Sequence, residues 1–417
     1  MNKILTAIVA CLLLCQIQAE ACTSIIVSGR VTPDGRPFIF KNRDTEGTDN
    51  LMVQAQGKRF RYIAIVSAPD TLALNAWSGH NEAGFAIANT AAYNLNGRPQ
   101  RQAPRTWADR PREDDASIMS AALGECMTLA DFEHLLDSLK AKGSLYANSN
   151  YAVLDAEGGV AYYETGNKGY VKFNANDPVQ APYGYLVRTN HGMSGDRSMD
   201  KGIERYLAIS DYASRAAFAG QLDYEDIIRK ATRFLTHGLT RLNLWDFAPE
   251  DDSQPVYFPF RDFIPRYQTA SAHLIQGVRA GESPRLTVSW VIPGSTLTTV
   301  ALPLWITDKG ELPSVVTRGK EGRAWLVDAG FQLKDQLFPI KRGNGIDYIN
   351  LARLINKRGT GILQLTVPIE DEIFRRGKEV LQTVRSNGKA GRETTEFYSW
   401  ADQYIKEQYN KRFNIKL

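Results

Sequence analysis

The chain of 417 residues carries 50 Lys and Arg against 46 Asp and Glu, a formal net charge of +4, and 43% of it is hydrophobic. The basic residues are scattered, without the stripe or aromatic interleaving that nucleic acid requires, and the five histidines show no metal-ligand spacing. Nucleic-acid binding and metal chemistry are set aside, no cofactor is implied, and the length allows two or three domains or one large layered domain.

The first residues read as an export signal. Lys3 is followed by an apolar run from Ile4 to about Cys15, then by polar Gln16 to Glu20 and the small-x-small cleavage pattern Ala19-Glu20-Ala21. The run is shorter than the ~20 apolar residues a bilayer demands, and no second run of that length follows, so no membrane span is expected. Cleavage after Ala21 makes 1–21 a leader and Cys22 the terminal residue of an exported, periplasmic or secreted protein. Ile8-Val9-Ala10-Cys11 has lipobox character, but little apolar chain precedes it; lipid anchoring is the weaker reading. A terminal cysteine carries a nucleophilic thiol and an α-amine able to accept the thiol's proton. Of four cysteines in the chain, leader removal keeps only Cys22 and Cys126. The compartment permits a disulfide between them, but Cys126 sits in a helical pattern and reads as a buried thiol.

Thr23-Ser24-Ile25-Ile26-Val27 is β-branched and apolar, Pro33-Asp34-Gly35 is a turn signal, and Pro37-Phe38-Ile39-Phe40 reads as the returning strand. This hairpin carries Lys41-Asn42-Arg43-Asp44 back beside the cysteine, putting Asp44 within reach of its amine or thiol. Further strands are expected at Phe60 to Val66, Gly84 to Ala88, Asn150 to Leu154, Val160 to Glu164 and Tyr185 to Arg188. Helices are expected near Ala116 and from Thr128, whose hydroxyl caps while Asp131 reciprocates. After Asn190 helices take over, with Ile203, Tyr206, Leu207 and Ile209 on one face, then Tyr224 to Leu235. Strands return at Ser271 to Val278, Leu286 to Val291 and Thr298 to Trp305, and the tail after Thr366 is mostly helical, ending in a helix from Thr395 to Tyr409. This order predicts one layered α+β domain over 22–417, its sheets assembled from both halves, with a helical extension from about 366.

Five segments stand in order along the chain: Cys22-Thr23-Ser24, Lys41-Asn42-Arg43-Asp44, Gly79 to Asn89, Arg188-Thr189-Asn190-His191, and Ser198 through Arg205-Tyr206. Over about residues 22 to 305 the chain resembles the N-terminal-nucleophile cysteine hydrolases, in the choloylglycine hydrolase and penicillin V acylase branch. Its relatives include the acyl-CoA:6-aminopenicillanate acyltransferases, acid ceramidase-like amidases and cysteine dipeptidases. The resemblance implies a four-layer αββα sandwich, with Cys22 as nucleophile and Asp44 orienting its α-amine. It also implies Asn190 as side-chain oxyanion donor and Arg205 as a buried arginine that steadies the site. Asn89 falls near the second oxyanion donor, a backbone N–H, with a register two residues on at Ala91 as the alternative. Lys41 replaces the family's arginine, and Arg43 is the alternative partner of the thiol.

Taken singly, Asp44 reads as a loop carboxylate, Asn190 as a turn residue and Arg205 as a surface charge; the ordered set carries the reading. It implies hydrolysis of a linear amide, an N-acyl amine or N-acyl amino acid with an apolar acyl group, through a Cys22 thioester. Acyl transfer or dipeptide cleavage by the same nucleophile is the alternative, and an inactive binding protein of the same fold is a third reading, supported by Lys41. The segment between Asn190 and Arg205 is short where bile salt hydrolases carry a long insertion, which favours the acyltransferase and amidase relatives. A homo-oligomer is compatible with the sequence.

Overall fold

The computed structural model describes residues 21–70, 72–95 and 114–416. Except for Ala21, the expected leader lies outside the described residues. Alternating and β-branched segments build fifteen strands among the described residues. The N-terminal half supplies β1 Ala21–Val27, β2 Phe38–Asp44, β3 Asn50–Gln56, β4 Arg61–Ser67, β5 Ser78–Asn81 and β6 Ala86–Ala91. Helices α1 Asp115–Glu125 and α2 Leu129–Ala141 follow, then β7 Ser149–Leu154, β8 Val160–Gly166, β9 Gly169–Asn174 and β10 Tyr185–Arg188. Helices α3 Ile203–Phe218 and α4 Tyr224–Arg229 lead to β11 Tyr257–Pro259, β12 Thr269–Gln276, β13 Val288–Pro293 and β14 Leu302–Leu304. The chain closes with α5 Trp325–Leu337, β15 Tyr348–Asn350, α6 Leu351–Leu354, α7 Ile362–Asn387 and α8 Arg392–Phe413.

Two antiparallel sheets result. One has the order β10-β1-β2-β12-β13-β14 and draws on both halves of the chain; the other is a meander, β3 through β9. Between them lie Ile26, Ile39 and Ile275 of the first sheet and Ala88, Leu154, Val160 and Tyr162 of the second. Each buried aliphatic side chain of this kind contributes roughly 1.5–3 kcal/mol. Strand alternation therefore fixes two faces for the first sheet. Cys22, Ser24, Lys41, Arg43 and His273 share the inner face with those isoleucines. Thr23, Asn42 and Asp44 share the outer face with Ile25, Phe38 and Phe40, which pack in the helix-covered core.

Helices cover both outer faces. Ile118, Met119, Leu123, Phe132 and Leu136 of α1 and α2 pack on the second sheet. Apolar residues of α3, α4, α5, α7 and α8 pack on the first. The layers are α, β, β, α. Phe374 of α7 stacks on Trp290 of β13 with ring centroids 4.3 Å apart, which fixes the C-terminal helices to the sheet rather than leaving them as an appendage.

Several expectations carry over and some do not. The capping box forms: Thr128 accepts from the Asp131 N–H, and Asp131 reciprocates. Leu207 is exposed rather than on the core face of α3, where Arg205, Ala208 and Ile209 are buried. The helix expected over Tyr224 to Leu235 stops at Arg229 because residues 231–233 turn inward, sending the Arg233 guanidinium to Glu370, 2.7 Å away. The strand expected from Thr298 shortens to Leu302–Leu304, since the Thr298 and Thr299 N–H groups close a turn on the Ser295 carbonyl. Helix α7 starts at Ile362, one turn before the expected boundary.

Candidate active site

The hairpin register sets the site. Ala21 pairs with Asp44, Cys22 with Arg43 and Ser24 with Lys41. Cys22 and Arg43 are thus direct cross-strand neighbours on the inner face, where side chains lie close. Asp44 projects from the outer face, opposite Ala21, the residue before Cys22. Its side chain and that of Cys22 therefore lie on opposite faces of the sheet.

Asp44 is fully enclosed. Its Oδ1 accepts from Thr269 Oγ1 at 2.7 Å and Asn42 Nδ2 at 3.1 Å, and Arg266 Nε stands 3.4 Å from Oδ2. Oδ2 itself accepts no hydrogen bond. Burial raises the Asp44 pKa, and Arg266, Arg205, the Thr269 bond and Arg43 oppose that rise. Neither Arg266 nor Thr269 could be assigned from sequence, because they reach Asp44 from more than two hundred residues away through the β2–β12 pairing.

Asn190 follows β10, the strand on the other side of β1. Its Oδ1 accepts from Cys22 N at 3.1 Å and from Arg205 Nη2 at 2.6 Å. A guanidinium only donates, so Arg205 fixes the oxygen of the amide toward itself and Nδ2 away from it. Nδ2 donates to the Ala91 carbonyl at 3.0 Å. Arg205 lies in the first turn of α3, buried, and its Nη1 donates to the Cys22 carbonyl and to Thr23 Oγ1. Its pKa is lowered, chiefly by burial and then by Arg266, while Asp44 and Cys22 raise it. Gly202 makes room for this guanidinium. Its φ is +74°, and a Cβ there would fall 2.4 Å from Arg205 Nη2.

The remaining predicted residues separate from this center. Lys41 Nζ donates to the Trp77 carbonyl at 2.8 Å and to Asn89 Oδ1 at 2.6 Å. Asn89 Nδ2 in turn reaches Asp115 at 2.7 Å and Ser149 at 3.0 Å. Lys41 and Asn89 therefore form their own cluster, and Ala91, two residues on, is the β6 residue that meets Asn190. Arg43, the cross-strand partner of Cys22, is held by Asn50 Oδ1 at 2.8 Å and stacked 4.2 Å over Trp77. Cys126 is a buried free thiol, and burial pushes its pKa up to about 12. Surface hollows of about 580 and 490 Å³ lie elsewhere, around Trp245 and around Arg342. Among the described residues no cluster could hold a metal ion, and no helix is long and apolar enough to cross a membrane.

The sequence matches no protein-family model and no curated protein. Among solved structures the chain is similar to penicillin V acylase from Agrobacterium tumefaciens, at 13% identity over 69% of this chain and 87% of that one, with a TM-score of 0.38. It is similar to a variant of conjugated bile acid hydrolase from Clostridium perfringens, at 8% identity over 68% and 92%, with a TM-score of 0.38. A third is the Caenorhabditis elegans ortholog of N-acylethanolamine-hydrolyzing acid amidase, at 15% identity over 49% and 86%, with a TM-score of 0.30. The αββα assignment rests on the chain's own layers and contacts.

Proposed function

We propose that the protein is an exported cysteine amidohydrolase that cleaves a linear amide with Cys22 as its N-terminal nucleophile. The observation that carries this reading is the convergence on one residue. The Cys22 nitrogen meets Asn190 Oδ1, the Cys22 carbonyl meets Arg205, and Ala21, the residue to be removed, is the cross-strand partner of Asp44.

Cleavage after Ala21 turns the Cys22 N–H into an α-amine next to the buried Asp44 carboxylate. With a reference pKa of ~7.7–8.0, that amine is partly neutral near pH 7 and can take the proton of a thiol of reference pKa ~8.5. The sulfur attacks the amide carbon and the carbonyl oxygen takes the negative charge. The Asn190 amide, oriented by Arg205, donates to that oxyanion, with a backbone N–H at the end of β6 as the second donor. Losing one such donor typically costs ~100- to 1000-fold in rate. The C–N bond breaks as the α-ammonium returns its proton to the leaving amine. Water then opens the thioester, releasing the acid and restoring the thiol.

The substrate class is an N-acyl amine or N-acyl amino acid with an apolar acyl group. Incubating the mature protein with a panel of such amides tests the reading. Release of free acid and amine by wild type but not by Cys22→Ala is expected. Equal release by both, or none by wild type on any member, would overturn it.

A further inference from the structure

Three polar residues stand in a row across the inner face of the second sheet: Thr90, Asn150 and Glu164, which are cross-strand partners on β6, β7 and β8. All three are buried, at 0%, 0% and 2% exposure. Such groups are costly in a core unless their hydrogen bonds are made. Asn150 and Glu164 both bond the turn that carries Asn190, and Thr90 bonds Asn150.

Asn150 Nδ2 donates to the His191 carbonyl at 3.1 Å and the Thr189 carbonyl at 3.3 Å, on both sides of Asn190, and to Thr90 Oγ1 at 2.9 Å. Thr90 immediately precedes Ala91, whose carbonyl holds the Asn190 side chain. One amide thus ties the end of β6 to the Asn190 turn. Glu164 grips the same turn farther along. Its carboxylate accepts from Met193 N, Ser194 N and Ser194 Oγ, and from Arg188 Nε at 2.6 Å. Asn150 Oδ1 is buried without a hydrogen-bond partner, so this side chain leaves one polar group unsatisfied in order to place its donors.

We propose that Asn150 is a positioning residue for Asn190, holding the Asn190 turn and the end of β6 at the separation that oxyanion stabilisation requires. The proposal rests on the amidohydrolase reading above. Asn150 touches no reacting atom; it acts through Asn190. Asn150→Asp keeps the shape and turns donors into acceptors facing two carbonyls, which pushes the turn away. A displacement of about 1 Å at a reacting center can cost ~100-fold.

The test compares kcat and KM for wild type, Asn150→Asp, Thr90→Val, Asn190→Ala and the Asn150→Asp/Asn190→Ala double variant. The alkylation rate of Cys22 by iodoacetamide is read in parallel by mass spectrometry. Asn150→Asp is expected to lower kcat about 10- to 100-fold with KM changed less than about 3-fold, and Thr90→Val to act in the same direction more weakly. The double variant is expected to be no slower than Asn190→Ala alone, because a residue acting only through Asn190 has nothing left to act on. Losses that multiply in the double variant, or wild-type kcat in Asn150→Asp, would overturn the proposal. If Asn150→Asp does not fold, Thr90→Val decides: wild-type kcat and alkylation there would overturn it. If wild type hydrolyses no amide, the amidohydrolase reading fails separately. Cys22 alkylation then decides this one, since Asn190 Oδ1 accepts from Cys22 N. A changed rate in Asn150→Asp that matches Asn190→Ala supports positioning, and an unchanged rate refutes it.

Discussion

The seam between the two sheets predicts a specific acid sensitivity. Ser78 Oγ meets His273 Nδ1 at 2.7 Å, His273 Nε2 meets Ser289 Oγ at 2.7 Å, and Ser289 Oγ meets His80 Nδ1 at 2.8 Å. A neutral imidazole has one donor and one acceptor, and this chain needs only neutral rings. Burial lowers the pKa of His80 to about 3, and burial, then His80 and Lys41, hold that of His273 well below its usual range. In the unfolded chain each ring takes up its proton near pH ~6.5. Below that pH the unfolded state binds more protons than the folded one, so stability falls as pH falls, until the folded ring also titrates. For His80 the loss totals roughly 2–3 kcal/mol between pH 8 and pH 4.5. Against a usual total of ~5–15 kcal/mol this is a large share, and His273 adds in the same direction. Denaturant unfolding of wild type and His80→Gln at both pH values reads the effect. The variant's own loss on acidification should be smaller than wild type's by roughly 2–3 kcal/mol, whatever its stability at pH 8. Equal pH dependence in the two proteins would refute the neutral seam.

Other outcomes follow from the same contacts. Asn190→Ala should lower turnover by at least ~100-fold with a smaller effect on KM, and wild-type turnover would rule out the oxyanion role. Gly202→Ala should destabilise by about 1–3 kcal/mol because of its positive φ, and should also lower kcat by displacing Arg205. An unchanged melting temperature and kcat would show that the guanidinium does not need that space. In the folded protein at pH 8, Cys126 should resist iodoacetamide, because burial keeps its thiol protonated. Labelling as fast as in urea would contradict the buried assignment.

Much of the near-sequence geometry was legible. The hairpin about Pro33-Asp34-Gly35 predicts Asp44 within reach of Cys22, and the register places Asp44 opposite Ala21. Alternation then separates what motif order could not: Arg43, an odd-numbered neighbour of Ile39, shares the inner face with Cys22, while Asp44 lies on the outer face. What sequence could not show is what arrives from afar. Thr269 and Arg266 reach Asp44, and Asn150 reaches the Asn190 turn, through strand pairings between distant segments. The side-chain partners of Asn89, Lys41 and Asp115, were not legible either, since they come from a strand of the other sheet and from α1. Leu207 failed as a core residue because helical spacing alone cannot say which of two overlapping stripes the sheet will cover.

In the proposed mechanism Cys22 becomes both the terminus and the nucleophile. Intact mass of the exported protein, acid-quenched during turnover of an N-acyl amide, tests both at once. A chain beginning at Cys22 and carrying one acyl group on that residue is the expected result. A chain that keeps Ala21 or begins at a lipidated Cys11 or Cys15, with no acyl adduct, would contradict the account.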